Sequence, residues 1–393
     1  MNNALFSHIQ ILWLVSIFTL CAYSYHPRFF NIAAGQISNH SVVFVIELLI
    51  LTHVLINVWK SKFTSLSVIF FISLFFIGLI SFGLQTLDFN SNFSECTNML
   101  PAFFGLYIGT NLTTTEKNLL LSLRCYVVCS IIIGFACISH YLGAFIIADQ
   151  YLVAGKNAFG TTLAIAGIIS FYLFVYKRNA KPIMLLDISS VVIIFIELLT
   201  IRARLATLGF LIVCVILFLR SNLKKNYVFF IIVFLAGAVF LSTNYSTALN
   251  FIYNSFFQNK ESDFTSARLG LYSRALEIIY QSPFLGNYDG RFFVDKHYQV
   301  HNFLLNKLSH YGVLLSIPWF FLYFRLFFCC IKNWLKCSSD SLLLLGCSVM
   351  FMLFWESLGE YTYPFGPGTI TFLPFLVFGF TVTHNKNESY LIA

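Results

Sequence analysis

Charge is what this chain has least of. Asp, Glu, Lys and Arg supply 10% of its 393 residues, against 58% apolar and 18% aromatic residues, whereas a soluble globular domain carries about 25% charged side chains. That scarcity excludes a soluble globular domain. A mean hydropathy of +0.80 makes the chain an all-α polytopic membrane protein, with residues 1–393 forming a single integral membrane domain. Other features are missing too. The opening MNNALFSHIQILWLVSIFTLCAYSY has neither a positive start nor a small-residue cleavage site, so it reads as a retained first helix. Most of the ten cysteines lie inside apolar runs, and no C-x-x-C pair stands with matching ligands. Neither a zinc site nor a disulfide framework is expected. The net charge of +8 would suggest nucleic acid in a soluble protein, but here it finds its first explanation in positively charged cytoplasmic loops.

What is present is a series of long apolar runs. They fall at residues 8–25, 41–59, 63–84, 97–113, 118–139, 158–176, 182–200, 205–219, 227–243, 303–331, 341–358 and 366–383, which predicts about twelve spans of roughly 20 residues. With the N-terminus inside, every inner connection is basic: Lys60 and Lys62, Lys117, Lys177 with Arg178 and Lys181, Arg220 with Lys224 and Lys225, and Lys332 with Lys336. Both termini are then cytoplasmic. The outer connections include QTLDFNSNFSEC and a long polar segment, residues 244–302.

That topology leaves arginine on the wrong side. Arg202 and Arg204 interrupt LLTIRARLATLGFLIV at an outer hairpin, and the long outer loop adds Arg268, Arg274 and Arg291. A planar guanidinium grips two phosphate oxygens at once, where lysine is a point charge. An outer surface rich in arginine therefore suggests a phosphate or pyrophosphate ligand, while lipid headgroups offer the plainer explanation for any single arginine. Two residues apart on a helix is about 200°, so Arg202 and Arg204 cannot share a face, and Thr207 follows Arg204 on its own stripe.

Within the outer loop, DFTSARLGLYSRALEIIYQSPFLG reads as a short amphipathic helix. Leu269, Tyr272, Leu276 and Ile279 form the apolar stripe and Arg274, Glu277 and Gln281 the polar one. Thr265 or Ser266 would cap its start, and Pro283 and Gly286 would end it. Arg268 falls in the first turn, where a cation is disfavoured unless an anion is bound there. Beyond it, His301 and Asn302 stand at the outer entrance of the tenth run. A histidine at a helix start has its protonated form disfavoured, which suits a general base; the alternative is an ordinary interfacial cap. Glu356 and Glu360, in WESLGEYTYPFGPG, would bind sugar hydroxyls, act as an alternative base, or simply decorate an exposed loop.

The order of Arg204-Leu205-Ala206, then ARLGLYSRALEIIYQSPFLGNYDGRF, then HNFLLNKLSHYGVLLS resembles the O-antigen ligase and O-antigen polymerase superfamily over roughly a third of the chain. The resemblance implies a metal-independent glycosyltransferase of the all-helical membrane type, acting at the periplasmic face of the bacterial inner membrane. Its donor would be an oligosaccharide on undecaprenyl pyrophosphate. Arg204 and Arg268 match the family's pyrophosphate-binding arginines and His301 its histidine; Arg202, Arg274, Arg291, Asn302, Glu356 and Glu360 are candidate substrate contacts. No cofactor or metal is implied, and no outer D-x-D pair is present. Partners would be the lipid-linked oligosaccharide, the bilayer and a chain-length regulator, with no nucleic acid.

Polymerase and ligase share a donor and differ in acceptor, a lipid-linked repeat unit or lipid A core. Composition leans to the polymerase. A flippase or other twelve-span transporter would instead use Glu47, His53, Asp187 and Glu197, ionisable groups inside spans. A purely structural membrane partner would need none of these residues.

Overall fold

The computed structural model describes residues 13–19, 21, 48–49, 52, 64–83, 89–112, 114–147, 156–177, 180–201, 203–221, 268–286, 300–337, 341–366 and 369–384. Among them every element is a helix: α1 (Ser65–Gly83), α2 (Phe89–Asn111), α3 (Glu116–Ile147), α4 (Lys156–Tyr176), α5 (Lys181–Thr200), α6 (Arg204–Arg220), α7 (Arg268–Gln281), α8 (Phe303–Leu315), α9 (Ile317–Lys336), α10 (Leu342–Glu356) and α11 (Thr369–His384). Three helices, α3, α4 and α5, are long and apolar enough to cross a membrane, and α8 with α9 adds a fourth if the bent pair is one span. The described residues are thus all-helical, with three or four helices able to cross a membrane, as a helical membrane protein requires. The runs 8–25, 41–59 and 227–243 fall largely or wholly outside them, as do Glu47, His53, Thr265 and Ser266.

Local chemistry sets the helix starts. Pro182 opens α5 and Pro318 opens α9, where a missing N–H costs nothing. The Ser341 hydroxyl accepts from Leu343 N at 3.1 Å to cap α10. The buried side chains form one continuous core in which α4 is enclosed on most sides. α2 crosses α11 at backbone contact. A side chain at Gly105 or Gly109 would strike the carbonyls of Phe372 or Leu376, so the small-xxx-small spacing lets the two backbones meet.

Two sequence expectations change. Residues 89–96, read as an outer connection, extend α2. The run 303–331, read as one span, is broken: α8 and α9 meet at 117°, and Gly312 leaves helical geometry at φ 63°. The break frees backbone donors, which apolar surroundings cannot leave unmet. The turn after α7 takes them, with Val313 N donating to Pro283 O at 2.9 Å and Leu314 N to Phe284 O at 3.1 Å. Gly286 (φ 69°) and Gly312 interlock so closely that a side chain on either would strike the other's backbone. Inside the bend, Lys307 is 4% exposed. Its Nζ lies 5.7, 5.8 and 5.3 Å from the ring centres of Phe303, Tyr311 and Trp319, so rings from both half-helices face one cation.

Candidate functional site

The starts of α4, α6 and α8 and the end of α10 meet at one end of the bundle. Ala203, before α6, sits against Gly160 of α4. The Trp355 indole donates to Leu205 O at 2.9 Å, joining α10 to α6. Phe303 N donates to Ser357 O at 2.9 Å, joining α8 to the loop that leaves α10.

That loop carries the centre of the site. His301 Nδ1 lies 3.2 Å from Glu360 Oε2, and Asn157 Nδ2, in the first turn of α4, donates to Glu360 Oε1 at 2.5 Å. An ionised carboxylate only accepts, so the shared proton would then sit on Nδ1, and in the neutral form of that imidazole Nε2 would carry the lone pair. The imidazole is 33% exposed and the Glu360 side chain 13%; the ring is open to the outside while the carboxylate is held inside. Asn302 is the helix cap, its Oδ1 accepting from Leu305 N at 3.0 Å and its Nδ2 donating to Leu358 O at 3.2 Å. The Tyr272 hydroxyl of α7 reaches His301 O at 2.8 Å and Leu358 O at 3.2 Å. Helix α7 is thereby fastened to the histidine's own backbone.

Of the residues singled out from the sequence, the structure joins His301, Asn302 and Glu360. Glu360 is part of a hydrogen-bonded chain and not a loose loop carboxylate. Glu356 is fully buried at the end of α10. Arg204 is half-buried as the first residue of α6, a helix whose start has no side-chain cap; the Thr207 hydroxyl, instead of capping, donates to Ala203 O at 2.8 Å. Arg268 opens α7, and Arg274 lies on its exposed side. Arg202 and Arg291 lie outside the described residues. Sequence reasoning missed Asn157 and the role of Tyr272. An amide at the start of an otherwise apolar span was the available signal for the first; the second was hidden in the apolar stripe. That stripe is also rotated: α7 buries Ala275 and Ile278, while Leu276 is 55% exposed.

Chemically, the arrangement offers an oriented imidazole, with the start of α6, which no side chain caps, at the same bundle end. Among the described residues no three His, Cys, Asp or Glu side chains gather as a metal ion would require. No family model matches the chain and no curated protein matches it.

Proposed function

We propose that the protein is a membrane glycosyltransferase that polymerises O-antigen or a similar surface polysaccharide. It would transfer a glycan from undecaprenyl pyrophosphate to a lipid-linked repeat unit at the periplasmic face of the bacterial inner membrane, with both termini cytoplasmic and about twelve spans in all. The observation that carries this reading is the His301–Glu360–Asn157 chain at the bundle end where Arg204 opens an uncapped helix. His301 Nε2 accepts the proton of the acceptor hydroxyl as its oxygen bonds to the anomeric carbon, and the bond to the pyrophosphate oxygen breaks. The departing pyrophosphate carries the electron pair, which Arg204, Arg268 and the α6 N–H groups stabilise. The ligase reading uses the same steps with lipid A core as acceptor.

The test is the lipopolysaccharide ladder of a strain lacking the gene, complemented with wild type, His301→Ala, Arg204→Ala or Arg268→Ala at matched membrane levels. A single-repeat band on core supports the polymerase. Bare core with long chains retained on the carrier lipid would make the protein the ligase, and an unchanged ladder in the deletion strain would refute both.

One observation favours a transporter as the second reading. Glu197 of α5 is 1% exposed, with no hydrogen-bond partner for either carboxylate oxygen among the described residues. Asp187 gives that reading no support, since Arg124 holds it in a two-bond ion pair. Wild-type ladders from Glu197→Gln together with loss from His301→Ala would decide for the transferase.

A further inference from the structure

Helix α7 is divided into three sectors. At about 100° per residue, Ala275, Ile278 and Ile279 form the sector packed on the bundle, and Arg274, Glu277 and Gln281 form a polar one. Next to the packed sector, on one flank only, lie Leu276 and Tyr280, 55% and 89% exposed, with exposed Ser273 separating them from the polar stripe. Single exposed apolar residues are ordinary on a helix in water, whereas a contiguous apolar flank is not. Here the apolar flank continues into the next turn with Phe284 and Leu285, 64% and 59% exposed. The backbone bonds from Val313 and Leu314 to that turn carry it onto exposed Val313, Leu314 and Ile317, and from there onto Phe321, Phe324 and Phe328 of α9. The last three recur at helical spacing on the outside of an apolar helix, a surface that belongs against acyl chains.

We propose that α7 lies in the membrane interface, with Leu276, Tyr280, Phe284 and Leu285 embedded at the boundary between headgroups and acyl chains and Arg274, Glu277 and Gln281 in water. The occupant of this flank is lipid, because the flank is continuous with the apolar face of the broken span. Tyrosine at such a boundary keeps its ring in the apolar layer and its hydroxyl among headgroups. Since the Tyr272 hydroxyl also binds His301 O, the depth of α7 sets the depth of the histidine. This inference concerns where the helix lies and holds whatever reaction the site performs.

The test uses the full chain reconstituted in phosphatidylethanolamine and phosphatidylglycerol vesicles. An environment-sensitive nitrobenzoxadiazole label is placed on Tyr280→Cys, Leu285→Cys or Glu277→Cys, with wild type labelled in parallel to subtract native cysteines. Blue-shifted emission at 280 and 285, quenched several-fold more by nitroxide-bearing lipid than at 277, is expected. Water-like emission at 280 and 285 would overturn the proposal. Blue-shifted emission that lipid nitroxide does not quench would also overturn it, by assigning the flank to a protein contact such as a second copy of the chain.

Discussion

Where α4 and α6 end, charged groups are matched to one another or to carbonyls. Lys177 donates to Glu116 at 2.6 Å, and the Arg220 guanidinium covers the carbonyls of Trp334 and Cys337. Tyr172 donates to Ser341 O at 3.0 Å, and Tyr176 donates to Leu217 O. A little further in, Arg124 grips both oxygens of Asp187 at 3.2 Å. Where the same two helices begin, the polar groups converge on one half-exposed imidazole instead. Glu360 and Asn157 support His301 from within and Tyr272 holds its backbone, while the rest of its ring faces outward. The first end ties helices together; the second spends its hydrogen bonds on orienting a group that faces outward. The contrast predicts that substitutions at the two ends separate into losses of stability and losses of activity.

The largest effect is expected from His301→Ala. If His301 is the base proposed above, its removal costs about 10²- to 10⁴-fold in rate, with membrane level and thermal unfolding unchanged because the side chain is only partly enclosed. Turnover of purified lipid-linked repeat units measures it; an unimpaired variant would reduce the histidine to a residue beside the cap. The counterpart at the other end is Asp187→Ala, which leaves Arg124 without its carboxylate. Breaking one side of a buried ion pair costs about 3–5 kcal/mol, so the expected result is a lowered midpoint in a detergent unfolding assay and reduced membrane abundance, with normal activity per folded molecule.

How far these ends were legible in the sequence follows from what each depends on. Helices α4, α5 and α6 start and stop within a few residues of the apolar runs 158–176, 182–200 and 205–219, because polar residues bound uniformly apolar stretches there. The break between α8 and α9 was not legible. Val313, Leu314 and Leu315 resume the apolar run directly after Gly312, and the donors freed at Val313 and Leu314 are met by a turn from a distant part of the chain. The site divides in the same way. His301, Asn302 and Glu360 stand out as polar residues at span ends, but Asn157 finds Glu360 across 203 positions, a pairing that only the packing of α4 beside α10 creates.

Glu360→Gln sharpens the contrast at a smaller scale. The amide keeps the shape but can turn its NH₂ toward Nδ1, which favours the tautomer with the proton on Nε2 and removes the lone pair the acceptor needs. A hydrogen bond involving a charged group is worth about 1.5–3 kcal/mol, so roughly a 10- to 100-fold loss in kcat with little change in KM is expected. Asn157→Leu removes only the outer support of the same carboxylate, and a loss toward the lower end of that range follows. Wild-type kcat in both variants would leave His301 without need of an orienting partner.

The smallest effect belongs to Lys177→Ala. Its partner Glu116 is 50% exposed and Lys177 itself 20%, so water screens the pair, and such bridges contribute about 0–1 kcal/mol. The variant should unfold within about a degree of wild type and transfer glycan at the wild-type rate. A rate loss comparable to that of Glu360→Gln would break the division between the two ends, because it would place functional chemistry at the end whose charges are already matched among themselves.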